Sequence, residues 1–153
     1  MTTPSIVPTG YAGTDDDYAR ARVDKSGAMR IEADSVSVPS GTATSTVIGL
    51  RPFNKGARFH VAPSSFYCEN WGAGTTTVNF GIVYDDNVTY TNDVDAFASL
   101  STAPQSGGFV TIDEITGMTL RTEANGWVVA EVQGAAADAT ANIVFNFGVA
   151  YDN

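Results

Sequence analysis

The stretches VNFGIVYD (78–85) and FNFGVAYD (145–152) decide how this chain folds. Large apolar residues recur at every second position: Val78, Phe80, Ile82 and Tyr84 in the first, and Phe145, Phe147, Val149 and Tyr151 in the second, with Ile143 extending the row. A period of two sends alternate side chains to opposite faces of a strand. Each stretch therefore has one apolar face, with Asn79, Gly81 and Val83, or Asn146, Gly148 and Ala150, turned the other way. Burying such a face contributes about 1.5–3 kcal/mol per large side chain. That offsets chain entropy only when a second sheet supplies a facing row. The two stretches are identical at five of eight positions and lie 67 residues apart, which reads as equivalent strands in two layers under one packing demand. The other reading is a pair of related rim loops, Asp85-Asp86-Asn87 and Asp152-Asn153. Gly81 and Gly148 would let a neighbouring strand or a large ring lie close to the backbone.

Working outward, the chain from about residue 41 breaks into short strands separated by turn residues. Thr46–Phe53 is closed by Asn54-Lys55-Gly56, Ala57–Val61 is interrupted by Pro63 before Ser65–Asn70, and Gly72-Ala73-Gly74 leads into Thr75–Asp85. Phe109–Asp113, Met118–Glu123, Trp127–Gln133 and Asn142–Tyr151 follow, and Asn125-Gly126 is the strongest hairpin signal in the chain. Only NDVDAFASL (92–100) reads as helical, with Asn or Asp at its N-cap. Frequent Gly, Asn and Asp turns between short strands predict an all-β domain over 41–153, an antiparallel β-sandwich or jelly-roll-like fold.

Residues 1–40 read differently, as an extended N-terminal arm. Pro4, Pro8, Gly10, Gly13 and the run Asp15–Asp17 accompany no sustained apolar period. Within the arm, RVDKSGAMRIEA (22–33) predicts a small hairpin turning at Asp24–Gly27. A lone hairpin is marginal in water, so such an arm is ordered mainly when it lies on something else.

Composition agrees. In 153 residues there are 16 Val and 18 Thr against 3 Leu and 2 Lys, a bias toward β-branched strand formers. The longest unbroken apolar run is Trp127–Ala130, too short to span a bilayer, and the opening MTTPSIVPTG has no signal-peptide pattern. The net charge of −9 is unevenly placed: residues 1–58 have seven bases against six acids, whereas 59–153 have Arg121 alone against eleven acids. So acidic a surface repels phosphate, which argues against nucleic-acid binding.

Catalytic constellations are thin. His60 is the only histidine, it alternates with Phe59 and Val61, and no G-x-S-x-G elbow supplies a serine partner. Cys68 is the only cysteine and stands beside Glu69, whose charge raises a thiol pKa. No phosphate-binding glycine motif is present. These features predict neither an enzyme nor a cofactor. The acidic stretch YDDNVTYTNDVD (84–95) offers Asp85, Asp86, Asp93 and Asp95 as a weak calcium candidate, but its spacing is not that of a calcium-binding loop and a solvated acidic loop is the plainer reading. Trp71 and Trp127 stand next to turns; exposed, they could stack on sugar rings, and otherwise they are core plugs at strand ends.

In segment order, the arm with RVDKSGAMRIEA, then VPSGTATSTVIGLRPFNKGARFHV, then VYDDN…NDVDAFASLSTAPQSGGFVTIDE resembles small virion proteins of tailed bacteriophages, in particular those that decorate or cement a capsid. The resemblance implies a β-sandwich, often trimeric, on the outer surface of the capsid, bridging neighbouring major capsid subunits and carrying no catalytic residues. On that reading Arg20, Arg22, Lys25, Met29, Arg30 and Ile31 are the expected partner-binding residues, and the arm lies across a neighbour's sheet edge. The rival expectation is a carbohydrate- or receptor-binding module on a fibre, tail or tip, using Trp71 and Trp127.

Overall fold

A computed structural model describes residues 4–6, 29–72 and 74–151. Eight strands form two antiparallel four-stranded sheets. The strands are β1 (Arg30–Val38), β2 (Val47–Phe53), β3 (Ala57–Cys68), β4 (Thr77–Tyr84), β5 (Asp93–Ser101), β6 (Gly108–Thr111), β7 (Gly126–Gln133) and β8 (Ala141–Tyr151). Two single-turn helices, α1 (Ala103–Ser106) and α2 (Ile115–Thr119), flank β6 in sequence. One sheet has the order β1-β8-β3-β6 and the other β2-β7-β4-β5. Pairing is nested: β1 with β8, β2 with β7, β3 with β6, and β4 with β5. Successive pairs alternate between sheets, a jelly-roll-like winding.

The core lies between the sheets and is aromatic. Phe66 of β3 stacks on Phe80 of β4 with ring centroids 4.0 Å apart, and Phe147 meets Phe66 edge-on at 5.2 Å. The two matching stretches are β4 and β8, inner strands of opposite sheets whose apolar rows are buried. Their glycines serve one purpose. A Cβ on Gly81 would run into the Asp93 carbonyl and the Val94 backbone, and one on Gly148 would run into Pro63. At both places a neighbouring strand bulges over the glycine: β5 over β4, and β3 over β8.

Several local expectations give way. Most of 92–100 lies in strand β5 (Asp93–Ser101) rather than in a helix, because Phe97 is drawn into the core and the Asn92 side chain accepts the Tyr84 amide at 2.8 Å instead of capping a helix. Pro63 does not divide two strands; it sits in the bulge between His60 and Ser65 of the continuous β3. Residues 118–123 are not a strand. Met118 ends up in α2, and Arg121 lies outside the named strands, in an isolated bridge with Arg58. Asn125-Gly126 therefore closes no hairpin, since β7 pairs with β2 and β4. Instead, the Asn125 side chain accepts the Lys55 amide at 3.0 Å. Residues 30–38, assigned to the arm from sequence, are β1, paired with β8 from Arg30↔Val149 to Val38↔Ala141. The predicted turn at 24–27 lies outside the described residues.

Thr122 locks one end of the sandwich. It is buried, its hydroxyl oxygen accepts the Ala57 amide at 2.8 Å, and its hydroxyl donates to the Asn54 carbonyl at 3.0 Å. Thr122→Val keeps the shape and leaves both backbone partners unsatisfied. A loss of about 1–3 kcal/mol in urea unfolding is expected.

Candidate functional site

The most informative surface is the flank where β1 and β2 are the outermost strands. Ser5 and Ile6 run parallel along β2: the Ser5 amide donates to the Val47 carbonyl at 3.0 Å, the Gly49 amide donates to the Ile6 carbonyl at 2.6 Å, and Ile6 bridges Ile48. Pro4 is buried and Ile6 packs against the core. Pro4–Ile6 thus lie against the edge of their own sheet through an isolated parallel bridge to β2.

Of the expected partner-binding residues, Arg20, Arg22 and Lys25 lie outside the described residues. Arg30 is the first residue of β1. Met29 and Ile31 are exposed at the start of that edge strand, Ile31 at 64%. On the opposite flank, where β5 and β6 are outermost, the structure brings out residues that the sequence did not single out: Phe109 (77% exposed), Leu100, Ile115 and Met118. The signal for Phe109 was its place out of phase with buried Val110 in a short strand. The Phe109 ring lies 4.9 Å from that of Tyr67. Asp95, Asp113 and Glu114 are exposed on the same side, and both the Asp113 and Glu114 amides donate to the Phe97 carbonyl.

The residues weighed for chemistry are dispersed. His60 is exposed on β3, and the nearby Ser64 hydroxyl donates to its backbone carbonyl and accepts the Gly148 amide, so this serine completes a bulge rather than joining an imidazole. Cys68 is buried and its thiol is pushed up to about 12 by burial. Ellman's reagent is expected to leave the native protein unlabelled and to titrate one thiol after denaturation; rapid native labelling would show an open core. A cleft of about 730 Å³ is lined by Lys55, Gly56, Tyr90, Arg121, Thr122 and Glu123, with neither histidine nor cysteine.

The four acidic candidates do not assemble into an ion cage. Asp86 is exposed and spends its side chain on the amides of Val88 and Thr89, at 3.2 and 3.1 Å. Bonds from Thr89 hold its carboxyl below the usual range. Asp93 is pushed up, first by burial and then by a hydrogen bond and charge from Asp95. Among the described residues no three His, Cys, Asp or Glu side chains converge to hold a metal, and Asp85 brings no others to it. A carboxyl raised in the folded state weakens the fold as pH rises from the unfolded value through the folded one, and the whole penalty is present at neutral pH. Asp93→Asn is therefore expected to raise the melting temperature at pH 7, with the gain vanishing below the carboxylate range.

Neither tryptophan offers a ring to a sugar. Trp71 is 0% exposed and Trp127 is 4% exposed. Trp71 is a plug at the sheet end, its backbone fixed by the Pro104 carbonyl and by the Asp138 and Ala139 amides. Trp127 packs with Val83 and Val129 in a second small cluster. The sugar-stacking expectation fails because both rings are needed to exclude water from apolar strands.

No model of a known protein family matches this chain, and no curated protein matches it. It is similar in structure to a chain of "Capsid of Ralstonia phage GP4", with 17% identity and a TM-score of 0.64 over 86% of this chain and 90% of that one. It is likewise similar to a chain of "Cyanophage Pam1 capsid asymmetric unit", with 19% identity and a TM-score of 0.58 over 93% of this chain and 99% of that one. At such identities the likeness is one of fold: the chain shares the β-sandwich of these two phage capsid structures over nearly its whole length.

Proposed function

We propose that this chain is a non-enzymatic structural protein of a bacteriophage virion, a decoration or cement protein on the outside of the capsid. It binds the major capsid shell through its N-terminal arm and through contacts between its own copies, a trimer being the favoured form. The observation that carries this reading is the end-to-end match of the sandwich to two phage capsid chains. The bridge that Ser5 and Ile6 make to β2 supports it, since an arm able to bind one sheet edge by main-chain hydrogen bonds can bind another. A component that binds only the assembled shell stabilises it by mass action. The four bases among residues 20–30, against one acid, give that end of the chain the charge to meet an acidic shell.

The test is co-sedimentation with purified phage shells. A deletion must stop before Met29, because cutting into β1 would remove part of the sheet. The variant lacking residues 1–28 is expected to keep its β-type circular dichroism and to bind shells at least about tenfold more weakly. Unchanged affinity would remove the arm as anchor, and a full-length chain that binds no shell would remove the capsid reading itself.

A further inference from the structure

The two sheets differ in what their outer faces carry. In β2-β7-β4-β5 the outward residues Val83, Trp127 and Val129 are buried. In β1-β8-β3-β6 the outer face is bare. Tyr67 stands opposite Phe109 on one side and Val144 on the other, and Val144 stands opposite Ser35, so one row crosses all four strands. The row beside it is Ala33, Asn146, Ser65 and Thr111. Phe109 and Val144 are exposed, as is Ile31 in the same phase of β1. Neither row contains a charged residue, in a chain with 17 acids and a net charge of −9. Arg30, Glu32 and Asp34 of β1 occupy the alternate phase, opposite Val149, Phe147 and Phe145. Glu69 and Arg58 lie beyond the rows, one at each end. The face is thus an uncharged centre with charge at its rim, the layout of a protein contact.

We propose that two copies of this chain pack face to face through this sheet, about a two-fold axis that runs along the strands between β8 and β3. Such an axis lays β6 of each copy over β1 of the other, so Phe109 of one covers the Ser35 end of its partner's row, and reciprocally. Val144 and Tyr67 of both copies gather at the axis. Charge chooses the second copy as occupant. Molecules that each carry −9 repel one another, and this face lets two of them meet without setting acid against acid. The same face offers nothing to a partner recognised by its charge. Four strands about 4.8 Å apart, over a length of about seven residues, make a face of roughly 20 by 20 Å. A pair therefore buries on the order of 800–1,000 Å², at the low end for a specific contact, so the association is weak and reversible. An isologous contact joins copies in twos, so it is additional to any trimer, whose contacts join unlike surfaces. It goes beyond the virion reading and is measured in pure protein, so failure to pair and failure to bind shells are separate results.

Sedimentation equilibrium of the full chain, up to about 0.5 mM, tests the contact. The basic particle, single chain or trimer, is expected to double. Doubling is expected to strengthen as salt rises from about 0.02 to 0.3 M, because salt screens the repulsion between the net charges. Val144→Asp and Val144→Lys are changes at an exposed position, and each sets two like charges together at the axis. Each is expected to weaken doubling at least about tenfold. An equimolar mixture of the two is expected to restore it, a result that requires position 144 of one copy to face position 144 of another. Phe109→Ser probes the far end of the row and replaces either variant that melts early. Wild type that never doubles overturns the proposal, and if Val144→Asp then abolishes shell binding, the face belongs to the shell. Doubling that weakens with salt overturns it in favour of pairing by charge, and a mixture no better than its components overturns the two-fold arrangement.

Discussion

Replacing Phe66 with alanine is expected to cost about 3–5 kcal/mol of stability and, for a chain of this size, to lower the melting temperature by roughly 10 °C. Phe66 is fully buried where strands of both sheets meet: its ring lies 4.0 Å from Phe80, 5.2 Å from Phe147 and 6.3 Å from Phe97. Those partners belong to β4, β8 and β5, so deletion of the ring empties space walled by both sheets, and neither can collapse into it without moving the other. Phe66→Leu retains most of the volume and is expected to cost less than half as much. Urea unfolding of the two variants checks the pair, and a loss below about 1 kcal/mol for Phe66→Ala would mean that the sheets are not packed through this ring.

Gly81→Ala is the second large effect, and it works by intrusion. The three atoms that the added methyl would meet first are all backbone, namely the Asp93 carbonyl oxygen, the Val94 carbonyl carbon and the Asp95 nitrogen, the last at 2.7 Å. Backbone cannot turn aside as a flexible side chain can, so β5 must lift off β4. A loss of about 3 kcal/mol is expected, at the upper end for overpacking. Gly74→Ala is the control, because a Cβ there meets nothing within 4 Å. Equal melting temperatures for the two variants would show that β5 does not lie across Gly81.

These glycines also show what was legible in the sequence. Alternation in 78–84 and 143–151 gave the two facing apolar rows, and the repeated glycines gave a close approach by a neighbour. The identity of that neighbour was hidden, because the strands that bulge over them come from distant parts of the chain. Residues 92–100 misled because a short stretch with Phe97 and Leu100 three apart satisfies a helical period locally, while the pull of the core on Phe97 is a tertiary effect. Asn125-Gly126 misled for a similar reason: turn chemistry states that the chain reverses without stating which strands it joins. Of the candidate surface, Met29, Arg30 and Ile31 were visible in the sequence as a charged, apolar stretch. Phe109, Ile115 and Met118 were not, since one exposed apolar residue in a strand or single-turn helix looks in sequence like any core residue.

The nested pairing bears on synthesis. The first long strand of the sandwich has the last one as its only sheet neighbour among the described residues, so while the chain is being made β1 must wait for β8 to leave the ribosome. Only β4 and β5, close in sequence, can pair early. Growth from that central hairpin outward makes closure of β1 against β8 the last event, slow because its partners lie farthest apart along the chain. A nascent chain stalled short of its C-terminus would display an open β1 to its neighbours on the same message.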